Sequence, residues 1–132
     1  MTEVFVTHQK EDAILWLTLN RPERRNPLSS EMIAALSNAI EMGNEDPAVR
    51  VMVIRSSGPA FSAGHDLTEI QRRSEEDSAK RQERVKALLE ACAALMTRIM
   101  HAPKPVIACV QGIASAAGCQ LVSACDLAIA SE

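Results

Sequence analysis

The chain has 132 residues, 47% of them hydrophobic, and a formal net charge of −3, which fits one soluble globular domain and excludes a disordered or fibrous chain. A pI of about 5.6 and an aromatic fraction of 2% leave no basic stripe for a phosphate backbone and no stacking platform for bases, so no nucleic acid is expected as a partner. Cys92, Cys109, Cys119 and Cys125 sit in apolar runs with no C-x-x-C spacing. They read as buried thiols of a reducing compartment rather than as disulfides or metal ligands. The N-terminal stretch MTEVFVTHQKED has neither an apolar signal core nor an Arg-rich transit pattern, and no segment approaches membrane-spanning length. A cytoplasmic location with no membrane partner is therefore expected.

In chain order, VFVTH from Val4 and AILWLTL from Ala13 to Leu19 are β-rich runs joined by the polar QKED, which predicts an antiparallel pair. NRPERRNP comes next as a loop, because Pro22 and Pro27 remove backbone donors and disfavour helix at the residues before them. After Ser29 or Ser30, either a good N-cap, Met32, Ile33, Leu36 and Ile40 recur at helical spacing as far as Gly43. VRVMVIRSS predicts a strand from Val49 to about Arg55, and GPAFSAGHDL a tight loop. From about Glu75 a second helix is expected, with Glu76 and Lys80, and Asp77 and Arg81, as acid-first i,i+4 pairs. Its apolar face comprises Val85, Leu88, Leu89, Cys92, Leu95, Met96 and Ile99. APKP ends it before a strand at Val106 to Val110, a Gly-framed turn, a short helix of small residues, and a last strand at Leu127 to Ala130.

This alternation implies an α/β fold with right-handed crossovers and a partly parallel sheet. No repeat, low-complexity tract or domain boundary is visible. DLAIASE stops just past a strand, and a buried parallel strand normally needs a covering element.

Two strands feed turns of small residues that lead into helices: FSAGHDL, and GIASAAGCQL from Gly112 to Leu121. Small side chains let a ligand approach the main chain, and the first N–H groups of a helix lack internal acceptors. Two such turns, converging, would make an oxyanion hole; alternatively Gly58, Gly64, Gly112 and Gly118 serve only turns and close packing. His65 beside Asp66 suggests a dyad, yet neighbours in a loop seldom face one another and no G-x-S-x-G elbow supplies a nucleophile. His8, His65 and His101 match no metal-ligand spacing. Neither G-x-G-x-x-G nor a Gly-Lys-Ser/Thr loop is present to hold a dinucleotide or NTP.

LNRPERRNPLS (Leu19 to Ser29), FSAGHDL (Phe61 to Leu67), KPVIACVQG (Lys104 to Gly112) and AAGCQLVSACDLAIAS (Ala116 to Ser131) resemble the enoyl-CoA hydratase/isomerase, or crotonase, superfamily. His65-Asp66 and AAGCQL most resemble its enoyl-CoA hydratase domain-containing protein 3 subgroup. The resemblance implies an α/β, crotonase-like (ClpP/crotonase) spiral of ββα units, with residues 1–132 as the N-terminal part of a single, truncated domain. It also implies homotrimers or dimers of trimers that bind acyl-CoA, with the coenzyme A thioester as substrate and no separate cofactor or metal.

Carried over by position, the backbone N–H groups of His65 and Ala117 would be the two oxyanion donors. Ala63, Gly64 and Leu67 would line the adenine and pantetheine path, Asp66 and Thr68 would border the substrate loop, and Arg24 and Arg25 would flank the CoA nucleotide. Family hydration uses two glutamates. Gln120 stands at the first, and an amide cannot take a proton from water near neutral pH; the second would fall beyond Glu132. The expected function is thus an acyl-CoA thioester-binding enzyme of fatty-acid metabolism, a lyase or isomerase. The alternatives are a catalytically silent acyl-CoA-binding paralogue or a structural fragment that needs a partner subunit. Gln120 does not select among hydration, isomerisation, thioester hydrolysis, dehalogenation and decarboxylation.

Overall fold

The computed structural model describes residues 3–71 and 73–132; Met1 and Thr2, on which part of the N-terminal reading falls, lie outside them with Arg72. The first apolar pair forms the expected hairpin, β1 (Val6–Glu11) antiparallel to β2 (Ile14–Leu19). Its link is shorter than QKED suggests: Gln9, Lys10 and Glu11 belong to the strand, and the chain reverses at Asp12 and Ala13. Asp12 has φ 54°, a left-handed conformation that tight hairpin turns require and Asp tolerates. After a 3-10 turn at Pro22–Arg24, α1 (Ser30–Glu45) begins on the N-cap Ser29, whose hydroxyl accepts from the Met32 N–H at 3.1 Å. The helix runs past Gly43, where the sequence predicts its end. Gly43 is buried against the Met52 and Leu15 side chains, so it serves packing rather than termination. Lys104 Nζ donates to the Gly43 and Asp46 carbonyls at 2.7 and 2.6 Å and so closes the helix end.

β3 (Val51–Ser56) then runs parallel to β2; β4 (Ala60–Ser62) lies inside the stretch predicted to be a tight loop, and α2 (Leu67–Ile70) begins at its last residue. The long helix α3 (Ser78–Met100) starts three residues later than expected. Asp77 is its N-cap, accepting from the Lys80 N–H at 2.8 Å, so Glu76 and Asp77 precede the helix and the predicted i,i+4 pairs give way. Glu76 instead meets Arg84, with Nε–Oε1 2.8 Å and Nη2–Oε2 2.9 Å. β5 (Val106–Val110), the two-residue β6 (Ile113–Ala114), α4 (Ala117–Ala124) and β7 (Leu127–Ala130) complete the order.

The main sheet is ordered β1-β2-β3-β5-β7 and is parallel from β2 onward, while β4 and β6 form a separate parallel pair. Side chains alternate faces along a strand. Leu15, Leu17, Leu19, Met52, Ile54, Val106 and Ala108 therefore share one core with Met32, Leu36 and Ile40 of α1 and with Leu88, Cys92, Leu95 and Ile99 of α3. Each such aliphatic side chain, fully buried, contributes about 1.5–3 kcal/mol. The opposite face carries the cross-strand row Trp16, Val53, Ile107, Leu127, with Arg55 over the Trp16 ring at 4.5 Å.

Leu89, predicted for the buried face of α3, is half exposed. Of the four free thiols, Cys92 is buried and Cys109 and Cys125 are partly so, but Cys119 is exposed on α4, contrary to expectation. Burial, with a smaller contribution from the Asp126 charge, pushes the Cys125 thiol up to about 12, which makes it a poor nucleophile.

Candidate functional site

β4 ends at Ser62, and residues 63–66 turn from it into α2. That turn is laced to residues 25–28. Ala63 N–H donates to the Arg25 carbonyl at 3.0 Å, and Leu28 N–H to the Gly64 carbonyl at 2.7 Å. The Ser62 hydroxyl donates to the Asn26 carbonyl at 2.8 Å and accepts from the Gly64 N–H at 3.3 Å. His65 Nδ1 lies 3.3 Å from the Leu28 carbonyl oxygen.

The second turn joins the same point. Ser115 N–H donates to the Ser62 carbonyl at 3.0 Å, and its hydroxyl to the Ala63 carbonyl at 3.3 Å. Gly118, in the first turn of α4, packs on the Ser62 carbonyl so closely that a Cβ would overlap it. Gly64 has φ 97°, and a Cβ there would stand 3.3 Å from the Ala117 nitrogen. The two turns therefore meet through backbone, which only small residues permit. Ala116, between them, is held at φ 51°, ψ −123°, outside the favoured regions of an L-residue. The N–H groups of His65 and Ala117 have no acceptor among the described residues. Two free backbone donors thus stand on adjoining, internally braced turns.

Around them, Asp66 is the N-cap of α2. Its carboxylate accepts from the Thr68 N–H at 3.0 Å and hydroxyl at 2.7 Å, and Arg24 Nη2 lies 3.5 Å away. Partial burial pushes this carboxyl upward, but the Thr68 hydrogen bonds and the Arg24 and Arg21 charges outweigh it and hold the group below the usual range. Asp66 thus turns to Thr68 and Arg24 and His65 to Leu28, so the neighbours form no dyad. Arg25, exposed, lines a cleft of about 200 Å³ with Pro59, Ala60, Ala63, Ile113 and Ser115. Leu67 is 71% exposed, and Thr68 is exposed beside it.

Gln120 is exposed on α4; its backbone N–H donates to Ala116, and its side-chain amide has no partner among the described residues. The structure thus links Arg24 with Asp66, Arg25 with Ala63, and Gly64 with Ala117, and among the described residues no hydrogen bond ties in the Gln120 amide. Among the described residues no three His, Cys, Asp or Glu side chains group as metal ligands would, and no helix is long and apolar enough to cross a membrane.

Sequence reasoning missed Asn26 and Ser62, both 0% exposed. Asn26 Nδ2 donates to the Ser57 and Ala60 carbonyls at 2.9 and 3.1 Å, and Oδ1 accepts from the Arg21 N–H at 2.7 Å. The available signal is the residue type: Asn in a loop tolerates the left-handed conformation it adopts here, φ 51°, and bonds nearby backbone through its side chain.

The family model for enoyl-CoA hydratase/isomerase matches residues 9–132. A Danio rerio protein named enoyl-CoA hydratase domain-containing protein 3, mitochondrial, is 40% identical over 124 residues, which are 94% of this chain and 41% of the relative. The 2,3-dehydroadipyl-CoA hydratase of Escherichia coli (strain K12) is 36% identical over 132 residues, which are 100% of this chain and 48% of that protein. The crystal structure of human enoyl-CoA hydratase domain-containing protein 3 superposes with a TM-score of 0.87 at 35% identity, over 96% of this chain and 47% of that one.

The chain spans less than half the length of these three relatives. Its fold is the expected crotonase-like α/β fold, and the subgroup resemblance is borne out. The cytoplasmic expectation is corrected: the Danio rerio relative carries a mitochondrial name, and twelve N-terminal residues without a leader pattern are too little to assign a compartment.

Proposed function

The chain belongs to the enoyl-CoA hydratase/isomerase family, and on that premise we propose that it binds an acyl-CoA thioester and stabilises an enolate-like oxyanion with the backbone N–H groups of His65 and Ala117. The observation that carries this reading is the pair of donors, without acceptors among the described residues, on turns that meet at Ser62 and Gly64. When an α,β-unsaturated or enolisable thioester reacts, negative charge develops on its carbonyl oxygen. Two amides already aimed there are each worth a few kcal/mol, because they need no reorganisation at the moment of reaction. His65 acts in this scheme through its amide, its ring being engaged with the Leu28 carbonyl.

Arg24 and Arg25 supply positive charge toward the CoA phosphates, with Asp66 steadying Arg24. Ala63, Gly64 and Leu67 border the pantetheine and adenine path, and Thr68 fixes Asp66 at the edge of the substrate loop. The expected setting is fatty-acid metabolism in a homotrimer or dimer of trimers. Titration of the chain with a short 2-enoyl-CoA should show saturable binding, tighter than that of free CoA; no binding of either refutes the proposal.

The Gln120 amide, exposed and without a partner among the described residues, cannot take a proton from water, which favours a second reading in which the thioester is bound but not hydrated. Loss of one acid–base group costs typically 10²- to 10⁴-fold. Gln120→Glu that creates or greatly raises hydration of the same 2-enoyl-CoA supports this reading. Wild-type turnover abolished by removing a carboxylate elsewhere overturns it.

A further inference from the structure

We infer that the Ser62 hydroxyl is a positioning residue that aims the His65 N–H at the same point as the Ala117 N–H, an inference that rests on the acyl-CoA reading above. Ser62 is 0% exposed and is where three segments of the site meet. Its hydroxyl hydrogen goes to the Asn26 carbonyl, its hydroxyl oxygen receives the Gly64 N–H, and its main-chain carbonyl receives the Ser115 N–H. Gly118, next to the donor Ala117, packs on that same carbonyl. One side chain therefore ties the Arg24–Arg25 loop to the first donor turn, while its own backbone holds the second.

The hydroxyl matters because it restrains a flexible residue just ahead of the first donor. Gly64 has φ 97° and no Cβ, so its torsions are soft, and they set where the next N–H, that of His65, is aimed. Two hydrogen bonds hold the Gly64 residue: its N–H to Ser62 Oγ, and its carbonyl from the Leu28 N–H. Only a group that donates and accepts at once can serve both Asn26 and Gly64. Serine does so, cysteine does so weakly, and alanine cannot. With the first bond gone, the Ala63–Gly64 peptide keeps only the Ser115 hydroxyl on its carbonyl, at 3.3 Å, the Gly64–His65 peptide can turn about its bond to Leu28, and a donor misplaced by about 1 Å loses much of its effect on a developing charge.

The test uses the full chain as wild type, Ser62→Ala and Ser62→Cys. For each, the affinities for a short saturated acyl-CoA and for free CoA are measured, together with the carbonyl stretch of the bound thioester carrying ¹³C at C1. In the wild type the stretch should fall below its frequency in water, reporting polarisation by the two amides. Ser62→Ala should lose most of that displacement and bind the thioester about tenfold more weakly, the effect of one misaimed hydrogen bond. Its affinity for free CoA, which has no carbonyl at this point, should stay within about twofold, and Ser62→Cys should fall between. A merely structural role would weaken both ligands alike and leave the residual bound frequency unchanged.

A folded Ser62→Ala protein with the wild-type carbonyl frequency overturns the inference and leaves the acyl-CoA reading standing. A wild-type chain that binds no thioester overturns both. If Ser62→Ala does not fold, Ser62→Cys decides: an intermediate frequency supports the inference and a wild-type frequency overturns it.

Discussion

Gly118→Ala tests directly whether the two donor turns are held together by close backbone packing. The added Cβ would overlap the Ser62 carbonyl oxygen and stand 2.9 Å from both the Ser62 carbonyl carbon and Cβ. Carbon pairs settle at about 3.5–4.0 Å, so α4 must retreat by roughly half an ångström or more. β4 cannot yield instead, since all three of its residues are buried. Overpacking against such a surface costs about 3 kcal/mol at the upper end of its usual range. Alanine recovers about 1 kcal/mol through its better helix propensity. The net loss of about 2 kcal/mol should lower the melting temperature by roughly 6–10 °C for a domain of this size. The same retreat carries the Ala117 N–H away from that of His65, so thioester affinity should fall while free CoA binding is largely kept. Thermal denaturation by circular dichroism and a paired titration with acyl-CoA and CoA measure both effects. A variant that melts at or above the wild type and binds the thioester unchanged would refute the packing account.

Ala116→Gly should behave in the opposite sense. At φ 51°, ψ −123° an alanine stores about 1–3 kcal/mol of strain that glycine relieves, against about 0.5–1 kcal/mol of extra unfolded-state entropy; the variant should match or exceed wild-type stability, and a clear loss in denaturant titration would show that the strain is absent. A pH effect arises from Glu76, whose carboxyl lies at about 2 instead of the ordinary 4.5. The Arg84 hydrogen bond is the main cause, burial opposes it, and the Arg73 N–H adds to the lowering. Because the folded-state value is depressed, the stabilisation is fully present above 4.5 and is lost as pH falls toward about 2. Glu76→Gln should therefore flatten the stability profile across that window; a profile parallel to that of the wild type down to the acid limit would contradict the assignment.

How much of the fold is legible in the sequence depends on how long each signal runs. Met32, Ile33, Leu36 and Ile40 repeat over more than two turns, and all four are buried in α1. Val106–Val110 and Leu127–Ala130 appear as strands at the predicted residues. β4, β6 and α2 span three, two and four residues, too short for any period to repeat. The helix ends that differ from expectation have local causes. Gly43 has the form of a stop signal, but it makes room for Met52 and Leu15 under the sheet. The charges at Glu76 and Asp77 have the spacing of helical pairs, although Asp77 is the cap that starts the helix and Glu76 reaches across to Arg84.

The site divides along a similar line. Backbone donors leave a trace in sequence, because a turn that must bring main chain against main chain excludes large side chains, and FSAGH and SAAG show that exclusion at Gly64 and Gly118. The groups that aim those donors leave almost none. Asn26 and Ser62 are single polar residues in ordinary loop and strand positions, and their importance lies in partners 31 to 36 residues away in the chain, from Ser57 to Ala60 for Asn26 and at Asn26 for Ser62. Once buried, each must satisfy every polar atom it carries, since an orphaned one costs about 1–3 kcal/mol. That demand converts two loop residues into fixed points. The exposed Gln120 is subject to no such demand, and its amide has no partner among the described residues.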